Sequence, residues 1–207
     1  MERRYDVITF DCYGTLIDWE SGIAGAFRDA GVDRPREQLL RAYAKIEPAV
    51  EHERYRPYRE VLTETARRIA DRDGAFLAES LPRWQPFADT NPALECLRDA
   101  GYTLGILSNV DDDLLSETRR HFSVDFELIV TAQQVRSYKP ARAHFEKART
   151  LIGERRWLHA AQSNFHDIAP ATDLGIDNAW VNRRGESGGV RPTYEVRDLA
   201  GLAALLA

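Results

Sequence analysis

Val7-Ile8-Thr9-Phe10-Asp11-Cys12-Tyr13-Gly14-Thr15-Leu16 is the stretch whose reading decides the fold. Val7 to Phe10 is rich in residues that favour strands, and the strand closes on an acid. Gly14 and Thr15 then break it. Outward from this strand, residues 19–86 carry helical patterning and little strand signal. Helices are expected over Trp19 to Ala30, Pro35 to Glu47, Tyr58 to Asp73 and Gly74 to Leu81, punctuated by Gly31, Pro48, Pro57 and Gly74. In the third, Val61, Leu62, Thr65, Ala66 and Ile69 share one face.

Beyond Pro86 the pattern alternates. A helix starts at Asn91-Pro92, with proline at its first position, and stops at Gly101. Strands follow at Thr103 to Leu107, Leu128 to Thr131, Trp157 to Ala161 and Ala179 to Val181. Helices lie between them at Asp112 to Phe122, Ala141 to Ile152 and Ile168 to Leu174, and Asp198 to Ala207 closes the chain. Alternation of this kind implies an α/β fold, a Rossmann-like parallel sheet covered on both faces. The helical stretch reads as an insertion. Residues 1–16 and 87–207 are expected to form the core, and 17–86 a helical cap over the carboxyl ends of the strands, where open α/β sheets bind ligands.

Composition bounds the function. The chain has 207 residues, 43% hydrophobic and 29% charged, enough for one α/β domain with an inserted subdomain or for two small domains. A net charge of −5 gives no reason to expect a nucleic-acid partner. Two cysteines, Cys12 and Cys96, are no disulfide framework and fit a reducing, cytoplasmic setting. Met1-Glu2-Arg3-Arg4 runs straight into the first strand with no apolar region before it, so no signal peptide is expected, and no apolar run is long enough for a membrane span. The expected partner is a small-molecule substrate, and homodimerisation is left open. Lysine occurs only at Lys45, Lys139 and Lys147, which draws attention to Lys139 beside Tyr138 and Pro140.

Polar groups follow four separate strands: Asp11 the first, Ser108-Asn109 the second, Lys139 the third, and Gln162-Ser163-Asn164 with Asp167 the fourth. Singly, each is ordinary cap or turn chemistry. Together, a parallel sheet brings them to one edge, and that convergence is the signal.

These residues, Asp11 to Leu16, Ser108-Asn109, Lys139-Pro140 and Ser163-Asn164 with Asp167, resemble the four ordered motifs of the haloacid dehalogenase superfamily. Tyr13, two positions after the expected nucleophile, is similar to type II 2-haloacid dehalogenases, as is Val181 to Gly185. The superfamily's phosphatases usually carry an acid at that position. That acid protonates a leaving alkoxide, whereas a phenol of ordinary pKa near 10 is poorly suited to the task and a departing halide needs no proton. Gln162 stands where those phosphatases place an acidic Mg²⁺ ligand, so no metal and no cofactor are expected.

The resemblance implies attack by Asp11 on C2 of a 2-haloacid, expulsion of halide, and hydrolysis of the resulting aspartyl ester to a 2-hydroxy acid. Lys139 would hold Asp11 ionised. Thr15, Ser108 and backbone N–H groups would position the substrate carboxylate. Asn164 and Asp167 would orient Lys139 or the hydrolytic water. Tyr13, Trp19 and Phe165 would form apolar walls, and Asn109, Gln162 and Ser163 complete the expected substrate-binding set.

The chain departs from the family pattern in two places. The arginine that receives the halide aligns with Ala49 or a neighbour, and His52, Arg54 and Arg56 are its candidate replacements. In the fourth motif, Gln162 replaces a small hydroxyl residue and His166 an aromatic one. Cys12 is expected to be a small buried residue facing away from the site, and His166 either lines the pocket or caps a helix. Glu47, Glu51 and Glu53 sit in the cap, where they either face the cleft or, as is more usual for charged helix residues, lie on a solvated face. Two other functions remain open, a small-molecule phosphatase on the same scaffold and a non-catalytic binding or regulatory protein.

Overall fold

The computed structural model describes residues 3–207; the first two residues of the N-terminal reading, Met1 and Glu2, lie outside them. Six strands form one sheet: β1 (Val7–Phe10), β2 (Thr103–Ser108), β3 (Leu128–Thr131), β4 (Trp157–Ala161), β5 (Asp177–Val181) and β6 (Tyr194–Val196), in the order β3-β2-β1-β4-β5-β6. Every neighbouring pair is parallel. All four residues of β1 are buried, as a central strand covered on both faces requires. Its register sets Phe10 beside Ile106 of β2 and Ala160 of β4. Asp11, Ser108, Thr131 and Gln162 therefore emerge at one edge, at or one residue past the ends of four strands.

Between β1 and β2 lie four helices, α1 (Trp19–Asp29), α2 (Arg36–Glu53), α3 (Tyr58–Ala70) and α4 (Ala75–Ser80), and α5 (Thr90–Asp99) leads back into the sheet. The chain leaves and re-enters the sheet layer through a hydrogen-bonded neck, in which Asp18 N donates to Gln85 O at 2.9 Å and Phe87 N to Leu16 O at 3.0 Å. The apolar face of α3 is buried throughout. Burying a side chain such as Leu62 contributes about 1.5–3 kcal/mol. Asp111, beyond β2, accepts the Tyr58 and Arg59 amides at 2.8 and 2.9 Å, so a core carboxylate satisfies the orphan donors at the start of α3.

The remaining helices are α6 (Asp112–Thr118), α7 (Ala132–Val135), α8 (Ala143–Ile152), α9 (Ala169–Asp173) and α10 (Leu199–Leu206). Several boundaries differ from expectation. Helix α2 does not stop at Pro48 but runs through it to Glu53. Proline lacks an N–H, so the Ala44 carbonyl loses its i+4 donor, and the helix survives because its other turns stay packed. Pro92 is the third residue of α5, still within the first turn, where an amide donor is dispensable. The helix expected over 112–122 ends in a 3-10 turn, Arg119–His121, and α9 is preceded by a π-helical turn, Asn164–Ile168. Strand β6 and helix α7 were not expected. β6 is a three-residue edge strand with no apolar run, and α7 is a single turn capped by Thr131. Among the described residues no helix is long and apolar enough to cross a membrane.

Candidate active site

Asp11 leaves β1 with its amide bonded to Ala160 O at 3.1 Å, which fixes the direction of its side chain. Thr15, one turn on, donates to Asp11 Oδ2 at 2.9 Å and itself accepts the Gln162 amide at 2.9 Å. Gly14 closes this turn at φ 103°, a backbone conformation that favours glycine, and a Cβ there would crowd Trp19 Nε1 at 3.1 Å.

Lys139 is 2% exposed. Its ammonium donates to Asp11 Oδ1 at 2.9 Å, Leu107 O at 2.8 Å and Asp167 Oδ1 at 2.6 Å, which uses all three of its protons. Asn109 clamps the Lys139 backbone, accepting its amide at 2.7 Å and donating to its carbonyl at 3.1 Å. Burial opposes the Lys139 charge, but the two carboxylates outweigh it and raise its pKa. Asp167 is also buried, yet Lys139 and His159 hold it well below the usual carboxylate range. Burial pushes Asp11 up, with Lys139 and Thr15 pulling back. The three charges thus form one ion cluster under the cavity floor.

Behind Asp167 lies a chain that the sequence reading missed. Trp157 Nε1 donates to Thr9 Oγ1 at 2.7 Å, and Thr9 Oγ1 lies 2.8 Å from His159 Nδ1. His159 Nε2 lies 3.1 Å from Asp167 Oδ1. Every link is satisfied when Thr9 donates to Nδ1 and His159 donates from Nε2. His159 points from the middle of β4, and its place among apolar strand residues gave no sign of this role.

A cavity of about 590 Å³ opens above the cluster, bounded by strand-end residues and by α1, α2 and α3. Asp11, Tyr13, Trp19, Ser108, Asn109, Lys139, Gln162, Ser163, Asn164, Phe165 and Asp167 all line it. The Ser108 hydroxyl is buried without a hydrogen-bond partner among the described residues. Phe165 is 63% exposed and forms the rim. Tyr13 donates to or accepts from Thr118 at 2.9 Å, and burial drives its pKa well above that of a free phenol. Cys12 is buried in the core. His166 lines the cavity and does not cap the helix; Ser163 is the cap, its hydroxyl accepting the His166 amide at 3.0 Å and lying 3.0 Å from the His166 ring Nδ1.

Other expectations need correcting. Thr15 does not line the cavity; its hydroxyl is spent on Asp11 and Gln162. Asn164 does not reach Lys139. Its amide group holds the Val190 backbone, donating at 3.0 Å and accepting at 2.9 Å, and so pins the loop after β5. His52, Arg54 and Arg56 do not line this cavity, whereas Arg184 does. Glu47 and Glu51 are not on a solvated face; both line the cavity, and only Glu53 faces solvent, paired with Arg56 and Arg68. Burial raises Glu47 to about 7, and burial plus the Glu47 charge raises Glu51 to about 9. Arg183, also missed, donates to Thr15 O at 2.9 Å and pairs with Asp89 at 3.0 Å, tying the β5 loop to the turn that carries Asp11.

The donor set does not suit a divalent cation. Asp11 Oδ1 and Asp167 Oδ1 are bridged by the Lys139 ammonium, the neighbouring fourth-motif position is the neutral Gln162, and no group of three His, Cys, Asp or Glu among the described residues could hold a metal ion. Mg²⁺ wants several charged or carbonyl oxygens that are free to turn toward it.

A family model for haloacid dehalogenase-like hydrolases matches residues 5–156. The chain belongs to this family. Haloacid dehalogenase-like hydrolases similar to it include haloacetate dehalogenase H-2 of Moraxella sp., 27% identical with 99% of each chain covered. An (S)-2-haloacid dehalogenase of Pseudomonas putida is 25% identical, with 95% of this chain and 94% of the relative covered. In fold, the chain resembles a solved dehalogenase at a TM-score of 0.87 and 22% identity, over 100% of this chain and 99% of that one.

Proposed function

We propose that this hydrolase cleaves the carbon–halogen bond of a small 2-haloacid and releases the 2-hydroxy acid, without a metal. The observation that carries this reading is the buried Lys139 ammonium, 2.9 Å from Asp11 and 2.6 Å from Asp167, which engages both carboxylates and, with the neutral Gln162 beside them, supports a site that works without Mg²⁺. The haloacetate and (S)-2-haloacid dehalogenases to which the chain is similar support it.

In the first step an Asp11 oxygen attacks C2 from the side opposite the halogen. A C–O bond forms, and halide leaves with the bonding electron pair. The substrate carboxylate is received by the unpartnered Ser108 hydroxyl and by backbone amides after Asp11. In the second step water, oriented by Asp167, adds to the ester carbonyl; the acyl C–O bond breaks, one proton of the water ends on the departing C2 oxygen as the 2-hydroxyl, and the other goes to solution as Asp11 returns to its carboxylate. Lys139 balances charge at Asp11 in both steps. Thr15 and Asn109 act as positioning residues for Asp11 and Lys139, and Asn164 holds the rim loop. The helical residues 17–86 serve as the cap, with Trp19 and Tyr13 keeping bulk water from the ester.

The test is a substrate panel of chloroacetate and 2-chloropropionate against phosphate monoesters, with EDTA and with Mg²⁺. Halide release insensitive to EDTA is expected. Phosphate release that requires Mg²⁺, with no halide release, overturns the reading.

A further inference from the structure

The α2 wall of the cavity has no role in the chemistry above. Tyr43, Ala44, Glu47, Pro48 and Glu51 all line it and recur at the spacing of one helix face. Glu51 is 8% exposed, accepts no hydrogen bond and has no cation within 4.0 Å among the described residues. Glu47 accepts a single hydrogen bond, from Tyr58 at 3.1 Å. A fold does not gain stability from two neighbouring carboxyl groups on a largely apolar cavity wall; the ionised form of each is disfavoured.

Two of the nearby cations are already committed to other acids, and the third makes no ion pair with Glu51. Lys139 spends its three protons on Asp11, Asp167 and Leu107 O. Arg184 is paired with Glu20 and Glu186. Arg136, across a smaller hollow that Glu51 also borders, lies over the Tyr55 ring at 5.3 Å. What surrounds the two acids is aromatic. Trp19 and Tyr43 pack with centroids 5.5 Å apart, and Tyr58 and Trp84 line the same space. A bound ammonium favours the ionised form of both acids, and the carboxylates so formed among ring faces attract it.

We infer that the substrate carries a cationic amine, which docks between Glu47 and Glu51 on the aromatic α2 wall while its 2-halocarboxylate end lies over Asp11. The inference rests on the dehalogenase reading for the reacting end only. A haloacetate leaves most of a 590 Å³ cavity empty, and that volume accommodates a longer chain ending in an amine. The bound ammonium supplies the positive charge the two acids lack.

The experiment compares ω-amino-2-chloro acids of three to five carbons with uncharged 2-chloro acids of the same length. Calorimetry with the matching ω-amino-2-hydroxy acids and their uncharged 2-hydroxy counterparts measures binding without turnover. A preference of at least ~10-fold for the amino compounds is expected in kcat/KM and in Kd, because a site that hydrogen-bonds a charged group rejects analogues lacking it. Glu51→Gln, nearly isosteric, should cut that preference several-fold, and Glu47→Gln should lower it too. Equal or better use of the uncharged acids overturns the amine inference and leaves the dehalogenase reading standing. Tight binding of the amino compounds with no halide release from any chloro acid overturns the dehalogenase reading and leaves the amine site standing. A preference unchanged in both variants overturns the assignment to these glutamates.

Discussion

Lys139 Nζ lies 2.9 Å from Asp11 Oδ1, with both groups out of bulk water at the carboxyl edge of the sheet. The lysine also holds Asp167 at 2.6 Å, so one cation is shared by two buried acids that would otherwise repel each other.

Lys139→Met removes that cation and leaves both acids unpaired. Breaking a buried ion pair from one side costs ~3–5 kcal/mol, and a loss of that order is expected in urea unfolding at neutral pH, along with loss of turnover. Part of the stability should return at acid pH, where a proton can take the place of the lysine. A variant with wild-type stability and rate would contradict the charge-balance argument.

The raised pKa of Asp11 has a sign that can be checked twice. The nucleophile acts ionised, so kcat/KM should fall as pH drops through a value above the ordinary carboxylate range. A carboxylate raised on folding adds stability below its unfolded pKa, and that contribution is lost as pH rises through the folded value. At neutral pH ionised Asp11 therefore costs stability, and Asp11→Asn should raise Tm while abolishing activity. A lowered Tm would mean that the lysine contact outweighs the cost of burial.

The chain from Trp157 through Thr9 and His159 ends on Asp167. His159→Leu deletes a hydrogen bond to a charged group and should cost about 1.5–3 kcal/mol. Thr9→Val breaks the chain one link earlier; it should alter Trp157 emission and lower kcat with KM little changed. Unchanged kcat in both variants would reduce the chain to a packing feature.

Asn164 holds Val190 by two hydrogen bonds, and a Cβ at Gly189 would lie 2.5 Å from its Oδ1. Asn164→Ala should loosen the loop after β5, seen as faster proteolysis near residues 185–190 and a raised KM. Equal cleavage rates would show that the loop is held by other contacts.

The sheet was legible because each core strand is a short apolar run and each inserted helix has a regular face, as Val61 to Ile69 shows. Strand β6 was not, since Tyr194, Glu195 and Val196 become a strand only by pairing with β5. The floor of the site was legible from Asp11, Lys139 and Asp167 at strand ends. Thr15 was assigned to the substrate carboxylate, and Asn164 to Lys139 or the hydrolytic water, because sequence gives a residue's neighbourhood but not its hydrogen-bond partner. His159 escaped, Arg183 and Arg184 carried no assigned role, and Glu47 and Glu51 stayed undecided between cleft and solvent, for a related reason. A polar residue inside a strand, or a glutamate on a helix, reads the same whether it faces solvent, core or cavity until tertiary packing decides.

The most direct test of the central claim is a single turnover of 2-chloropropionate in ¹⁸O-water, with enzyme in excess, followed by mass analysis of peptide and product. Attack by Asp11 at C2 and hydrolysis at the ester carbonyl put the label into the Asp11 peptide, one ¹⁸O per turnover, and leave the first product unlabelled. Label in the product of that first turnover, with an unlabelled Asp11 peptide, would mean that water attacks C2 directly and would contradict the account.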